Sequence, residues 1–110
     1  MRRAIHRTSI PALAESPPEG ASFPIQDYAA LGDGRSVALI TPDGAVGWWC
    51  VPEMDSPPLF DRLLDAGQGG YFQIRPEGAF EVERHYRHDS NILETLIVTP
   101  DGRARVTESL

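Results

Sequence analysis

The tetrapeptide Thr-Pro-Asp-Gly occurs twice, at residues 41–44 and 99–102, and each copy joins two apolar runs. The first follows SVALIT and precedes AVGWWCV, and the second follows NILETLIVT and precedes RARVTESL. Proline presets φ for the second position of a type I turn, Asp favours the turn, and Gly provides a left-handed exit. Because two apolar runs joined by such a turn are typical of a β-hairpin, the sequence predicts two hairpins.

Further strands are predicted between the hairpins, at residues 70–75 and 80–87. The second alternates, with Phe80, Val82 and Tyr86 on one face and charged residues on the other, which indicates one buried and one solvated face. In residues 45–51 and 91–99, by contrast, both faces are apolar. Such strands need cover on both sides, either from another sheet or from another domain.

One short helix is predicted after residue 55. Ser56 is a favoured N-cap residue, prolines suit the first turn, and Gly67 is suited to end the helix. Its apolar face would consist of Leu59, Phe60, Leu63 and Leu64. The predicted fold is mainly β, an antiparallel β-sandwich layer of about six or seven short strands with this helix.

Composition limits the function. The chain has 110 residues, enough for one domain, and its net charge of −6 argues against nucleic-acid binding. Its ten cationic residues are all arginine, which favours a GC-rich, bacterial source, and no apolar run is long enough for a membrane span. A single cysteine, Cys50, cannot form an intrachain disulfide, so we expect a small buried residue and a cytoplasmic protein.

Residues 1–24 are rich in Pro, Ser and Glu and lack the apolar core of a secretory signal. We predict a disordered leader there, followed by a single domain over residues 25–110.

The stretch Gly44–Phe72, GAVGWWCVPEMDSPPLFDRLLDAGQGGYF, holds both tryptophans and the cysteine. Together with ALI at 38–40, Tyr86, NILET at 91–95 and DG at 101–102, it resembles the N-terminal β-sandwich domain of bacterial and archaeal glycoside hydrolase family 15 proteins. That group contains glucoamylases, glucodextranases and trehalase-like proteins, and the domain is the trehalase-like N-terminal domain. The motifs IQDY at 25–28 and GDGR at 32–35 extend the resemblance over residues 25–110.

Two positions depart from the family pattern. Gly47 stands where relatives have Asp before Trp, and Glu53-Met54 stands where they have Arg-Phe, which reverses a charge. The resemblance implies a parent enzyme that hydrolyses α-glucosidic bonds with inversion, through two glutamates of an (α/α)6 barrel. Neither glutamate has a counterpart here, so we expect a fragment or short gene product that is not active alone.

No catalytic residue is predicted within the chain. Inverting hydrolysis needs two carboxylates about 6.5–9.5 Å apart, whereas Asp55 and Asp61 are better explained by the start of the predicted helix. His85 and His88 would point to opposite faces of a strand, which argues against a metal site. We expect no cofactor, because no lysine completes a phosphate loop around Gly67–Gly70.

The leading hypothesis is an accessory domain that packs on a catalytic (α/α)6 barrel. Its loop Pro52–Pro58 is expected to lie near the substrate or at the domain contact, through Trp49, Glu53, Met54, Asp55 and Ser56. One alternative is a stand-alone carbohydrate-binding module that binds α-glucans or trehalose through its aromatic residues, Trp48, Trp49, Tyr71 and Tyr86. Another is a structural domain that self-associates through its two-faced strands.

Overall fold

The structure is a computed structural model, and it describes residues 6–12 and 23–110. These residues form eight strands in two antiparallel sheets of four strands each. The strands are β1 (His6–Ile10), β2 (Ala29–Gly32), β3 (Val37–Ile40), β4 (Val46–Cys50), β5 (Pro58–Phe60), β6 (Phe80–Tyr86), β7 (Leu93–Thr99) and β8 (Gly102–Glu108). The predicted mainly antiparallel β fold is therefore confirmed.

One compact unit contains β1 and β6–β8, in the order β1-β6-β7-β8. In-register pairs across it include Ile10 with Phe80 and Val82 with Ile97. These four side chains form a buried apolar cluster, and the half-buried Val106 packs against it. The alternation predicted for residues 80–87 is present at Phe80 and Val82, which are buried, and at the intervening Glu81, which is exposed. It is wrong for Tyr86, which was placed on the buried face but is 38% exposed at the end of β6, beyond the buried Arg84. The buried apolar side chains of this sheet therefore share one face.

Strand β1 lies inside the range 1–24, for which the sequence predicted a disordered leader. The structure differs over residues 6–10, which pair with β6 along their whole length. Ile10 is buried, whereas Arg7 and Ser9 on the other face are exposed. Ile10 therefore packs in the apolar cluster and attaches β1 to the edge of the sheet. Residues 1–5 and 13–22, which include the Pro-rich part of the predicted leader, lie outside the described residues.

The other compact unit contains the sheet β2-β3-β4-β5. Ala29 pairs with Ile40 and Leu31 with Ala38, so these four buried side chains share one face. The register shifts at Leu39/Ile40 and again at Trp49/Cys50. Such irregularities bend a strand and change the direction of its side chains, and here they flank the part of β4 that carries both tryptophans.

Both Thr-Pro-Asp-Gly segments join strands of a hairpin, as predicted, but their backbones differ. Gly44 has φ of +88°, and its N–H donates to Thr41 O at 2.9 Å. Gly102 instead pairs with Thr99 as the first residue of β8 and is not in the left-handed region. The predicted left-handed exit is therefore correct for Gly44 and wrong for Gly102.

The helix predicted after Ser56 is wrong, because Pro58–Phe60 form strand β5. Phe60 pairs with Trp49 and Pro58 with Cys50, so pairing with β4 outweighs the local helical pattern. Leu59 and Leu64 of the expected apolar face are 58% and 77% exposed. The helical element of the described residues is a 3-10 turn at Ile25–Asp27. The strand predicted at 70–75 is reduced to one bridge, between Val46 and Phe72.

The two strands predicted to be covered on both faces are covered unequally. In β7, Leu93 and Ile97 are buried, while Leu96 and Val98 on the other face are half-buried. In β4, Cys50 is buried and both tryptophans are half-buried. Each strand therefore keeps a partly accessible apolar face. Among the residues that the structure describes, no helix has the length and apolarity needed to cross a bilayer.

Candidate functional site

The loop between β4 and β5 is held by one arginine. Arg35 Nη2 lies 3.1 Å from Glu53 Oε1, and its carbonyl oxygen accepts the Met54 N–H at 3.0 Å. The loop closes on itself, because Glu53 N–H donates to Ser56 Oγ at 3.0 Å and Ser56 N–H donates to Glu53 O at 3.1 Å. Residues 53–56 therefore form a compact turn fixed to the β2–β3 connection.

Arg35 is itself fixed by the turn that precedes it. Asp33 Oδ1 accepts the N–H groups of Arg35 and Ser36 at 2.8 and 2.9 Å. These backbone hydrogen bonds, that of Ser36 foremost, lower the pKa of Asp33 below its ordinary value. Ser36 Oγ donates to the carbonyl oxygen of Cys50 at the end of β4. The β2–β3 turn thus holds both the end of β4 and the loop that follows it.

Of the predicted site residues, Glu53, Met54 and Ser56 meet around Arg35. Asp55 lies exposed at the tip of the same turn, and Met54 is 57% exposed. Trp49 lies three residues before Pro52, the loop's first proline, and opposite Phe60 in the register. Its indole Nε1 is buried without a hydrogen-bond partner in the described part of the chain. The predicted residues therefore form a surface turn that follows a half-buried tryptophan.

Because the predicted helix is absent from residues 56–67, the roles that depended on it are also wrong. Ser56 does not cap a helix, since its hydroxyl accepts from Glu53 within the turn. Asp61 is not a first-turn acid, because turns and not a helix follow β5. Glu53 is occupied by Arg35, so its carboxylate serves as an ion-pair acceptor. Within residues 6–12 and 23–110, no group of three or more His, Cys, Asp or Glu side chains could hold a metal ion.

A second loop, residues 61–74, is fastened to the β3–β4 hairpin. Leu63 N–H donates to Gly47 O, and Val46 N–H donates to Phe72 O at 2.8 Å. The guanidinium of Arg62 lies 4.2 Å from the centre of the Tyr71 ring, within the range of a cation–π contact. Gly47, where relatives of the resembled family have Asp, thus contributes a backbone contact to this loop.

Arg35 is the residue that the sequence reasoning missed. It was read as part of the GDGR motif and not as a partner of the loop 18 residues later. The available signal was the acid at Glu53, where the resembled family has Arg, because a carboxylate at that position can pair with an arginine of another connection. The Asp33 turn, with an acid two residues before Arg35, is the local feature that positions that cation.

The comparisons with known proteins agree with this architecture. The family model "Trehalase-like, N-terminal" matches residues 19–101, about three-quarters of the chain. The chain belongs to this family of trehalase-like N-terminal domains. No solved structure matches it.

Several curated relatives are trehalases. The trehalase of Mycobacterium tuberculosis is 41% identical over 101 residues, which is 90% of this chain and 15% of that protein. The trehalase of Mycolicibacterium smegmatis is 41% identical over 88 residues, 79% of this chain and 13% of the relative. Trehalase 2 of Sulfolobus acidocaldarius is 42% identical over 69 residues, 63% of this chain and 12% of the relative. The chain therefore spans less than a sixth of each of these relatives.

Proposed function

We propose that this chain is the N-terminal accessory domain of a trehalase-like hydrolase of the glycoside hydrolase family 15 type, and that it works with a catalytic (α/α)6 barrel. The observation that carries the proposal is the 41% identity to the M. tuberculosis trehalase over 90% of the chain. The described residues support an accessory role, because the Glu53 carboxylate is paired with Arg35 and Asp55 lies exposed at the tip of a turn. Trehalose or a related α-glucoside is the proposed substrate of the complete enzyme.

The turn at residues 53–56 is the proposed contact with the catalytic region or the substrate entrance. It is fixed by four polar contacts, to Arg35 and within itself, and yet Met54 and Asp55 remain exposed. A turn whose backbone is fixed while its tip is solvated loses little conformational entropy when a second surface covers it. The cytoplasmic location expected from the sequence belongs to the same proposal.

A chimera tests the function. This chain replaces the matching 101-residue region of the M. tuberculosis trehalase, and trehalose hydrolysis is measured against the native relative and against the same relative with that region deleted. We expect the chimera to be active and the deletion protein to lose most of its activity. A chimera no more active than the deletion protein contradicts the proposal, as does trehalose hydrolysis by the isolated chain.

The alternative, a stand-alone carbohydrate-binding module, is supported by the exposure of two of its predicted aromatic residues, Tyr71 at 48% and Tyr86 at 38%. Aromatic rings of this kind stack on sugars. Titration of the isolated chain with maltose, trehalose and longer glucans, followed by tryptophan fluorescence, separates the two functions. Saturable quenching favours the module, and an unchanged signal favours the accessory domain.

A further inference from the structure

Loop 61–74 presents apolar side chains to solvent although its backbone is tightly held. Leu64 is 77% exposed, Ile74 63%, Phe72 55% and Tyr71 48%. Exposed apolar residues are ordinary when scattered singly, but several on one fixed loop indicate an interaction surface. We name these four side chains the apolar rim.

Hydrogen bonds hold the backbone of the loop that carries the rim. Asp65 N–H donates to Asp61 O at 2.9 Å, and Gly69 N–H donates to Asp65 O at 2.8 Å. Asp65 Oδ1 also accepts the Gln68 N–H at 3.1 Å. Near its other end the loop is tied to the β3–β4 turn, since Gln73 Nε2 donates to Asp43 O at 2.9 Å. The backbone is therefore ordered in advance of any contact that the rim makes, which favours tight association.

The charged residues near the rim indicate what kind of protein surface could bind it. Glu53 is paired with Arg35, and one oxygen of Asp61 is buried. The exposed acids of residues 51–74 outside that ion pair are therefore Asp55 and Asp65, against one cation, Arg62. That cation is engaged over the Tyr71 ring. An apolar rim within an acidic segment is complementary to an apolar patch bordered by Arg or Lys. A second copy of this chain would bring like charges together around the same rim, which disfavours self-association through it.

We propose that the apolar rim docks on such a patch of the catalytic region, the part of trehalase-like proteins that lies outside the segment matched here. This inference rests on the proposed function. The matched segment is 12% to 15% of each of the three relatives described above, so most of the surface of such an enzyme belongs to that other region. The rim adds an apolar contact to the polar turn at residues 53–56.

The test compares Ile74→Ser with Ile25→Ser, each in the isolated chain and in the trehalase chimera. The two isoleucines are 63% and 62% exposed and lie in the same compact unit, so they are matched in type and exposure. Because exposed side chains contribute little to the stability of the isolated domain, both variants of the isolated chain should keep its Tm within about 1 °C. In the chimera we expect Ile74→Ser to lower Tm by about 3 °C or more and Ile25→Ser to leave it unchanged. Leu64→Ser should act like Ile74→Ser.

Three results overturn the inference. One is an active chimera whose Tm is equally insensitive to Ile74→Ser, Leu64→Ser and Ile25→Ser, which leaves the proposed function intact. Another is a dimer of the isolated chain in light scattering that Ile74→Ser converts to monomer, since the rim would then bind a second copy. The third is a loss of Tm in the isolated Ile74→Ser chain as large as the loss in the chimera, which would show that Ile74 stabilises the domain itself and not a contact with the catalytic region. An inactive wild-type chimera instead contradicts the proposed function itself.

Discussion

Gly69 lies directly against the backbone of Asp61. The Asp61 N–H donates to Gly69 O at 2.8 Å, and the Gly69 N–H donates to Asp65 O at 2.8 Å. A Cβ atom added at residue 69 would overlap the carbonyl group of Asp61 and lie 2.6 Å from Asp65 O. Residues 61–69 therefore close on themselves only because residue 69 has no side chain.

Replacement of Gly69 by Ala should destabilise the fold, because the overlapping atoms belong to the backbone and cannot turn aside. We expect a loss of about 3 kcal/mol in the free energy of unfolding, typical of overpacking. Gly67→Ala is the matched control in the same loop, since its Cβ would meet only Asp65 Oδ1, at 3.9 Å. Urea denaturation followed by tryptophan fluorescence measures both, and equal midpoints for the two variants would contradict the predicted contact.

The two hairpin turns make a second matched pair. Gly44→Ala should cost about 1 kcal/mol or more, because an L-residue at φ of +88° is strained. Gly102→Ala should be nearly neutral, since it has no positive φ and a Cβ there meets nothing within 4 Å. Thermal unfolding of the two variants ranks them. A larger loss of Tm in Gly102→Ala would show that the turn geometries are assigned the wrong way round.

This pair also shows what the sequence can predict. Turn residues and apolar alternation act over two to seven residues, so they located β3, β4, β7 and β8 correctly. The φ of each glycine depends on how many residues the strands leave in the loop, which the identical tetrapeptides do not encode. Pairing of Pro58–Phe60 with β4, and of β1 with β6, depends on a partner strand outside each segment, 8 to 11 residues away in the first case and 70 to 78 in the second. Local propensity predicted a helix for the first and disorder for the second.

The candidate site was predictable in part for the same reason. The turn at residues 53–56 is local, and its Asp55 and Ser56, with the flanking Pro52 and Pro57, marked it as a loop. Its partner Arg35 comes from another connection, and only the close approach of the β2–β3 turn to the end of β4 joins them. The exposure of Leu64 and Ile74 was hidden, because an apolar residue in a sequence is read as a core residue until its neighbours are known.

Glu94, in the sheet β1-β6-β7-β8, is predicted to make the stability of the fold depend on pH in the acid range. It lies opposite His85 in the register, and its carboxylate accepts a hydrogen bond from Arg87 Nε. Arg105 Nε lies 4.0 Å and His85 Nε2 3.9 Å from its other oxygen. The Arg87 hydrogen bond, with smaller coulombic contributions from Arg87, Arg105 and His85, lowers the pKa of Glu94 below its ordinary value of 4.5.

Because the folded-state pKa is the lower one, the Glu94 contribution to stability is complete above the unfolded-state pKa. It is lost as the pH falls through the folded-state pKa. Glu94→Gln should therefore be less stable than the wild type at neutral pH, and the difference should shrink on acidification. Glu81→Gln, at an exposed position of β6, is the control. Denaturation midpoints measured from pH 7 to acid pH test this, and a difference between wild type and Glu94→Gln that does not change with pH would contradict it.

Cys50 is predicted to react slowly with thiol reagents in the folded chain. Cys50 is only 4% exposed, and its backbone carbonyl oxygen accepts a hydrogen bond from the Ser36 hydroxyl. Reaction therefore requires local opening of the end of β4, and the observed rate reports the population of that open state. Removal of the hydroxyl in Ser36→Ala takes one hydrogen bond from the closed state, worth about 1 kcal/mol.

Such a loss should raise the open population, and with it the rate of modification, about fivefold. Ser9→Ala, at an exposed position of β1 in the other compact unit, should leave the rate unchanged. The comparison uses Ellman's reagent under native conditions, with the urea-unfolded chain as the reference for an unprotected thiol. A native rate equal to that of the unfolded chain would show that Cys50 is not protected by the fold. Equal rates in Ser36→Ala and wild type would show that the Ser36 hydrogen bond does not hold the end of β4 closed.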